Sequence, residues 1–269
     1  MTATPLGKVF LVGAGPGDPE LITLKGKRCL EAADVILFDE LANRQILEFA
    51  SRAAVTIYVG KKPGKHCVNQ SEIEALLIRH ARRGKTVIRL KGGDPLVFGR
   101  GGEEALALRA AGIPFEIVPG ISSAIAVPAY AGIPVTLRSL ASSFAVVTGH
   151  KASGAGFEWE ALARSVDTLV ILMGLGNLDA IMKALLGGGC PPERPVALIQ
   201  SGTQDEQRVL SGTVATIGAL AAHANFRSPT LIVVGEAVQL RHQLGWFAKR
   251  LGEMPPPACD VDNDQAVLQ

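Results

Sequence analysis

Five short apolar, β-rich runs occupy the first 120 residues: Val9–Val12, Val35–Phe38, Val55–Val59, Val87–Leu90 and Phe115–Val118. Unbroken runs of this length read as strands buried on both faces, as in a parallel sheet covered by helices. Segments of helical spacing separate them, and the alternation directs the chain to an α/β fold. One such segment, Glu72–Arg83, places Ile73, Leu76, Leu77, His80 and Ala81 on one face, with Ser71 and Glu74 read as a capping box and Gly84 as a stop. Another, Glu103–Ala111, ends at Gly112 and is followed by Pro114.

A second series follows the Pro/Gly-rich stretch Pro119 to Pro134: Phe144–Thr148, Thr168–Met173, Val196–Gln200, Gln207–Gly212 and Thr230–Val234. The stretch reads as a domain junction, giving an N-terminal α/β domain over 1–120 and a C-terminal α/β domain over 121–252. Only the turn-rich segment Ser201–Glu206 joins Val196–Gln200 to Gln207–Gly212, which favours an antiparallel pair. The first sheet should therefore be mainly parallel and the second mixed. Segment 253–269 holds Pro255-Pro256-Pro257 and no apolar period, and reads as a frayed, disordered tail.

Hydrophobic residues make up 48% of the 269, enough for a sizeable core. No apolar run approaches the roughly 20 residues of a membrane helix, because Pro128, Gly132 and Pro134 interrupt the stretch from Ile121 to Val135. Met1 to Lys8 lacks a basic segment followed by an apolar one, so a soluble, cytoplasmic protein is expected. A formal net charge of +2 with scattered basic residues argues against a nucleic-acid surface. Cys29, Cys67, Cys190 and Cys259 form no Cys-x-x-Cys pair, which leaves a zinc knuckle or thioredoxin-like site unsupported and the thiols reduced.

Val9–Val12 runs into Gly13-Ala14-Gly15-Pro16-Gly17-Asp18-Pro19-Glu20, which resembles a dinucleotide fingerprint but departs from it. The third glycine position holds Asp18, and Pro16 and Pro19 remove two backbone donors. A tight turn before a helix starting near Glu20 is the other reading. Gly60-Lys61-Lys62-Pro63-Gly64-Lys65-His66 has one residue too few between its glycines for a P-loop and lacks the metal-binding Ser or Thr. More informative is Arg89 to Glu104, with five glycines in sixteen residues after the fourth strand. At the carboxyl end of a parallel strand, such a segment lets the backbone approach a flat ligand, with Asp94 able to hold a ligand hydroxyl or amine. A purely structural glycine loop is the alternative.

Several motifs occur in order: Val12-Gly13-Ala14-Gly15-Pro16-Gly17-Asp18-Pro19-Glu20-Leu21, Tyr58-Val59-Gly60-Lys61, Leu90-Lys91-Gly92-Gly93-Asp94-Pro95, Phe98-Gly99-Arg100-Gly101-Gly102-Glu103-Glu104, Val118-Pro119-Gly120-Ile121-Ser122-Ser123-Ala124, Thr148-Gly149-His150 and Met173-Gly174. Together they make the stretch from Lys8 to Val238 resemble the tetrapyrrole methylase family, and within it the members that act on uroporphyrinogen III. The resemblance implies two α/β domains with the active site in the cleft between them, a homodimer, and S-adenosylmethionine folded in that cleft, with no metal. It carries over Pro16, Gly92, Gly93, Asp94, Val97, Ser122, Ser123, Met173, Ala197 and Thr230 as cofactor contacts, the last two resting on strand ends. One departure is Ile121-Ser122-Ser123, where Thr often holds the middle position; a hydroxyl is retained. The implied reaction methylates C2 and C7 of uroporphyrinogen III to give precorrin-2, the branch compound toward sirohaem and cobalamin. No dehydrogenase and chelatase module of the kind some relatives carry is found in these residues, so methylation alone is expected.

In-line transfer of a sulfonium methyl requires placement of sulfur, methyl and acceptor carbon and exclusion of water, after which a proton must leave the ring system. Arg100 and Glu103, three apart at a loop-to-helix transition, can reach a common region. The resemblance places the pair beside the substrate: Arg100 to position carboxylates, since a guanidinium stays charged, and Glu103 to orient it or move a proton. A plain ion pair at a helix start is the alternative. A substrate with eight carboxylates suits a rim of Lys61, Lys62, Lys65, His66, Arg138, His150 and Lys151. His150, at a strand end, is the third catalytic candidate; Asp39 is a similar strand-end candidate, and His80 fits a structural role. A methylase of a later precorrin or of a protein, a sensor that binds without turnover, and a nicotinamide dehydrogenase are the competing readings. The segment Gly99 to Glu104 favours uroporphyrinogen.

Overall fold

The computed structural model describes residues 5–60, 68–150 and 158–247. Its first half runs β1 (Val9–Gly13), α1 (Leu24–Glu31), β2 (Val35–Phe38), β3 (Val55–Tyr58), α2 (Gln70–Arg82), β4 (Val87–Lys91), α3 (Gly101–Ala110) and β5 (Phe115–Val118). The second runs α4 (Ser123–Tyr130), β6 (Phe144–Thr148), α5 (Trp159–Ser165), β7 (Thr168–Leu172), α6 (Leu178–Gly187), β8 (Pro195–Gln200), β9 (Arg208–Thr213), α7 (Ile217–His223), β10 (Thr230–Val234) and α8 (Arg241–Leu244). Lys61, Lys62, Lys65, His66, Cys67, Lys151, Cys259 and segment 253–269 lie outside the described residues. Among the described residues no helix is long and apolar enough to cross a membrane.

The first sheet has the order β3-β2-β4-β1-β5, and every neighbouring pair is parallel. Successive side chains of a strand point to opposite faces. Val12, Ile36, Phe38, Ile88 and Leu90 accordingly pack with Cys29 and Leu30 of α1, whereas Val9, Leu11, Val35, Leu37 and Val87 pack with Ile73 and Leu77 of α2 and Leu108 of α3. Contrary to the expectation of five strands covered on both faces, β3 and β5 are only partly buried. They are the two edges of the sheet, where one flank has no neighbouring strand among the described residues to shield it.

Two local readings need correction. The capping box of α2 is Asn69 with Glu72, not Ser71 with Glu74: the Glu72 N–H donates to Asn69 Oδ1 at 2.9 Å and the Asn69 N–H to Glu72 Oε2 at 2.8 Å. No helix starts at Glu20; a single 3-10 turn, Pro19–Leu21, is capped by Asp18, and α1 follows from Leu24, capped by Thr23. The glycine loop after β1 therefore does not open directly onto a helix N-terminus, and the pyrophosphate site of a dinucleotide fold loses its physical basis. The stretch Pro119 to Pro134 contains α4, an eight-residue helix with Pro128 inside it. Pro128 lies in the last turn of this helix, where it removes one helical N–H, and it is buried.

The second sheet has the order β6-β7-β10-β8-β9, with β6 and β7 parallel and the other three pairs antiparallel. It is mixed, as expected. On one face Leu169, Ile171, Val196 and Leu198 meet Ile181 and Leu185 of α6 and Ile217 of α7; on the other, Val170, Ala197, Ile199 and Val233 meet Ala124 and Val127 of α4. In this way α4, which begins directly after the last loop of the first sheet, covers the second.

Candidate active site

Three loops converge at the carboxyl ends of the neighbouring strands β4, β1 and β5. The Gly93 N–H donates to the Gly15 carbonyl at 2.7 Å, and the Gly15 N–H donates back to the Gly93 carbonyl at 3.2 Å. A Cβ on Gly13 would lie 2.5 Å from Gly120 Cα, and one on Gly120 would run into the Gly93 carbonyl oxygen. At Gly93 itself, with φ +66°, a Cβ would meet nothing nearer than Ser123 N at 3.8 Å and Ser122 Cα at 4.0 Å. Gly13 and Gly120 thus let backbones touch, while Gly93 adopts a left-handed conformation at van der Waals distance from the start of α4. The Ser122 hydroxyl caps that helix, accepting from the Ala124 N–H at 3.2 Å. Gly92, Gly93, Asp94, Ser122 and Ser123 are brought to one place, and Pro16 follows Gly15 in the adjoining loop.

Asp94 is more engaged than the sequence suggests. Its Oδ1 accepts from the Leu96 N–H at 2.8 Å and its Oδ2 from the Gly120 N–H at 3.1 Å, so the carboxylate ties the two loops together. Each oxygen keeps a second acceptor site for a ligand. The loop continues through the exposed Val97 to Arg100, which has φ +59° at the N-cap of α3. There Arg100 donates to Glu103 through Nε at 2.9 Å and Nη2 at 2.6 Å, a bidentate pair with both side chains more than half exposed. Glu103 raises the Arg100 guanidinium above its ordinary range, and Arg100 lowers the Glu103 carboxyl. The pair is preformed, charged on both sides and open to solvent.

Beneath this loop lies a buried charge network that sequence reasoning missed. Glu104 Oε1 accepts from Arg89 Nε and Lys91 Nζ, each at 3.1 Å, and from Gln70 Nε2 at 3.2 Å; Arg89 Nη2 donates to Asp39 Oδ2 at 2.8 Å. Arg89, Lys91 and Glu104 are all buried, and Glu104 Oε2 has no partner among the described residues. Burial lowers the Lys91 ammonium most, with the charge of Arg89 adding to it and Glu104 opposing both. The available signal was two cations two residues apart in an otherwise apolar strand, which puts both on one face. Asp39, the strand-end candidate, is a member of this network.

Across from the loops, β6 and β7 end side by side, the Gly149 N–H donating to the Leu172 carbonyl at 2.7 Å. Met173 follows with φ +54° and 54% exposure, and His150 is exposed at the neighbouring end. Thr230 starts β10 on this same edge, but its hydroxyl donates to the Arg227 carbonyl at 2.5 Å. Ala197 is not brought to the edge: it is 0% exposed in the interior of β8, packed under α4. Arg138 is exposed in the segment between α4 and β6, and His80 is half-buried on α2.

What reaches across instead is the turn after β8. The Asp18 N–H donates to Thr203 Oγ1 at 2.9 Å, and Tyr130 Oη donates to Asp18 Oδ2 at 2.8 Å. Burial and then this bond push the Tyr130 phenol up to about 12. The glycine loop after β1 is therefore fastened to both α4 and the β8–β9 turn, which ties the first sheet to the second. No group of three or more His, Cys, Asp or Glu able to hold a metal occurs among the described residues.

Residues 8–218 match the model of the tetrapyrrole (corrin/porphyrin) methylases. The chain is 50% identical over 248 residues to the uroporphyrinogen-III C-methyltransferase of Bacillus subtilis, covering 91% of this chain and 96% of that one. It is 49% identical over 244 residues to siroheme synthase 2 of Cronobacter sakazakii, covering 91% of this chain and 53% of the relative, so it spans about half that protein's length. Among solved structures, the uroporphyrin-III C-methyltransferase of Thermus thermophilus complexed with S-adenosylhomocysteine superposes with a TM-score of 0.75 at 42% identity, covering 87% of this chain and 100% of the other.

Proposed function

Because the chain belongs to the tetrapyrrole methylases, we propose that it transfers methyl groups from S-adenosylmethionine to C2 and C7 of uroporphyrinogen III, giving precorrin-2. The observation that carries this reading is the close backbone cradle at Gly13, Gly93 and Gly120, in which Gly93 lies at van der Waals distance from the start of α4, together with the exposed Arg100–Glu103 pair. Half-identity to the Bacillus subtilis enzyme over nearly its full length supports it.

Gly92, Gly93, Asp94, Val97, Ser122 and Ser123 hold the cofactor from the first sheet, with Pro16 in the adjoining loop and Met173 on the opposite edge. When bound, S-adenosylmethionine supplies an electrophilic methyl on a sulfonium. Arg100, held by Glu103, takes a substrate carboxylate and fixes the reacting carbon in line, where orientation supplies much of the rate. Glu103 and His150 move the proton that leaves the macrocycle. Thr230 contributes backbone at the rim; Ala197 stays in the core. The molecule works as a cytoplasmic homodimer, with domains over 1–120 and 121–252, and its product feeds sirohaem- or cobalamin-type synthesis.

The test is anaerobic incubation of the protein with uroporphyrinogen III and S-adenosylmethionine, counting methyl groups on the tetrapyrrole by mass spectrometry. Two added methyls are expected. None, with cofactor binding intact, moves the reading to a different acceptor or to a sensor.

A further inference from the structure

Leu96, Val97 and Phe98 are consecutive apolar residues that the fold leaves 54, 37 and 43% exposed, between the Asp94 clamp and the Arg100–Glu103 pair. Phe98 stands out because its backbone is also strained, at φ +50°. That region crowds any Cβ and is ordinarily left to glycine, or to Asn and Asp. Yet the glycines beside it are needed for another purpose: a Cβ on Gly99 or Gly101 would run into the Pro95 carbonyl. An aromatic residue held in a strained conformation with its ring open to water is not explained by packing within the free protein. Such strain is consistent with a ring that another surface covers.

We infer, on the basis of the methylase reading above, that Phe98 is a substrate-positioning residue. Its ring receives the apolar face of one pyrrole unit while Arg100, two residues on, takes a carboxylate at the periphery of the same macrocycle. Chemical complementarity selects this occupant: an apolar strip ends in an Arg100–Glu103 pair whose guanidinium keeps N–H groups beyond the two used on Glu103, and this matches flat apolar units ringed by carboxylates. The backbone turn at Phe98 presents the ring, and Glu103 presents the cation.

Two variants separate this role from a structural one. Phe98→Gly removes the ring and the strain together; Phe98→Leu keeps an apolar side chain and the strain but loses the ring. Uroporphyrin III, the stable oxidised macrocycle, serves as the binding probe by fluorescence titration, alongside S-adenosylhomocysteine calorimetry, thermal melting, oligomer size and steady-state kinetics. The expected result is a Phe98→Gly protein that melts no lower than wild type and binds S-adenosylhomocysteine within twofold. It should lose about tenfold in uroporphyrin affinity, on the scale of one aromatic contact, with KM for uroporphyrinogen III rising more than kcat falls. Phe98→Leu should fall between the two. Unchanged uroporphyrin affinity and KM in Phe98→Gly, a lower melting temperature, or a change of oligomeric state would each overturn the inference, the last by giving the ring to a second copy of the chain. If wild type transfers no methyl to the tetrapyrrole, the methylase reading fails and takes this role with it. If wild type turns over normally and Phe98→Gly matches it, only the role of Phe98 fails.

Discussion

The ends of the two sheets that the β8–β9 turn ties together are built from different materials. On the first sheet, the floor is main chain: three parallel strand ends packed so closely that Gly13 and Gly120 leave no room for a methyl group. On the second sheet the rim is side chain, with Met173 and His150 exposed at the ends of β7 and β6 and Thr203 reaching out from the β8–β9 turn. A main-chain floor is rigid and intolerant of substitution. A side-chain rim tolerates change and can alter which ligand it prefers. The buried network of Arg89, Lys91, Asp39 and Glu104 lies on the first side and braces α3, which carries Glu103.

The hardest way to break the first side is Glu104→Ala. It leaves the buried Lys91 without a carboxylate partner and Arg89 with Asp39 alone, and should destabilise the protein by about 3–5 kcal/mol, read by denaturant unfolding. A loss below about 1 kcal/mol would show that Lys91 sheds its proton or that water enters freely. Gly120→Ala comes next: overpacking against the Gly93 carbonyl costs about 1–3 kcal/mol and, by moving Gly93, removes measurable S-adenosylhomocysteine binding in calorimetry. Near-normal binding would mean that the floor yields as the rim does.

Tyr130→Phe probes the fastening between the sides and should cost about 1 kcal/mol at neutral pH. The phenol is raised from 10.0 to about 12 in the folded protein, so its contribution is complete below pH 10 and disappears as pH rises through about 12. The stability gap between wild type and variant should therefore be flat to pH 10 and then shrink, in chemical denaturation at each pH. A gap that widens above pH 10 reverses the assigned sign. The smallest change in stability is expected for Met173→Ala, within ~0.5 kcal/mol because the side chain is more than half exposed, together with weaker S-adenosylhomocysteine binding. Unaltered binding would remove Met173 from the rim.

The same contrast decides what the sequence makes legible. Strands are legible because β-branched apolar runs such as Val35–Phe38 leave few alternatives. The floor is legible because a backbone contact demands glycine at fixed places, and that demand leaves a motif. Ala197 shows why the rim is harder: a strand-end guess needs the strand's direction and register, and in a mixed sheet neither follows from spacing. It lies three residues before the end of β8, with its side chain turned under α4. Asn69 with Glu72 and Ser71 with Glu74 have the same capping-box spacing, and only geometry chooses between them. Arg89, Lys91 and Glu104 look like surface charges until the fold buries them together.

Amide hydrogen exchange with and without S-adenosylhomocysteine tests the central claim, a cofactor held between a main-chain floor and a side-chain rim. The account expects slower exchange on both sides at once: at residues 13–18, 92–94 and 120–124, and at residues 173–174 with 201–204. Protection confined to one side, or absent from both despite binding, would contradict it.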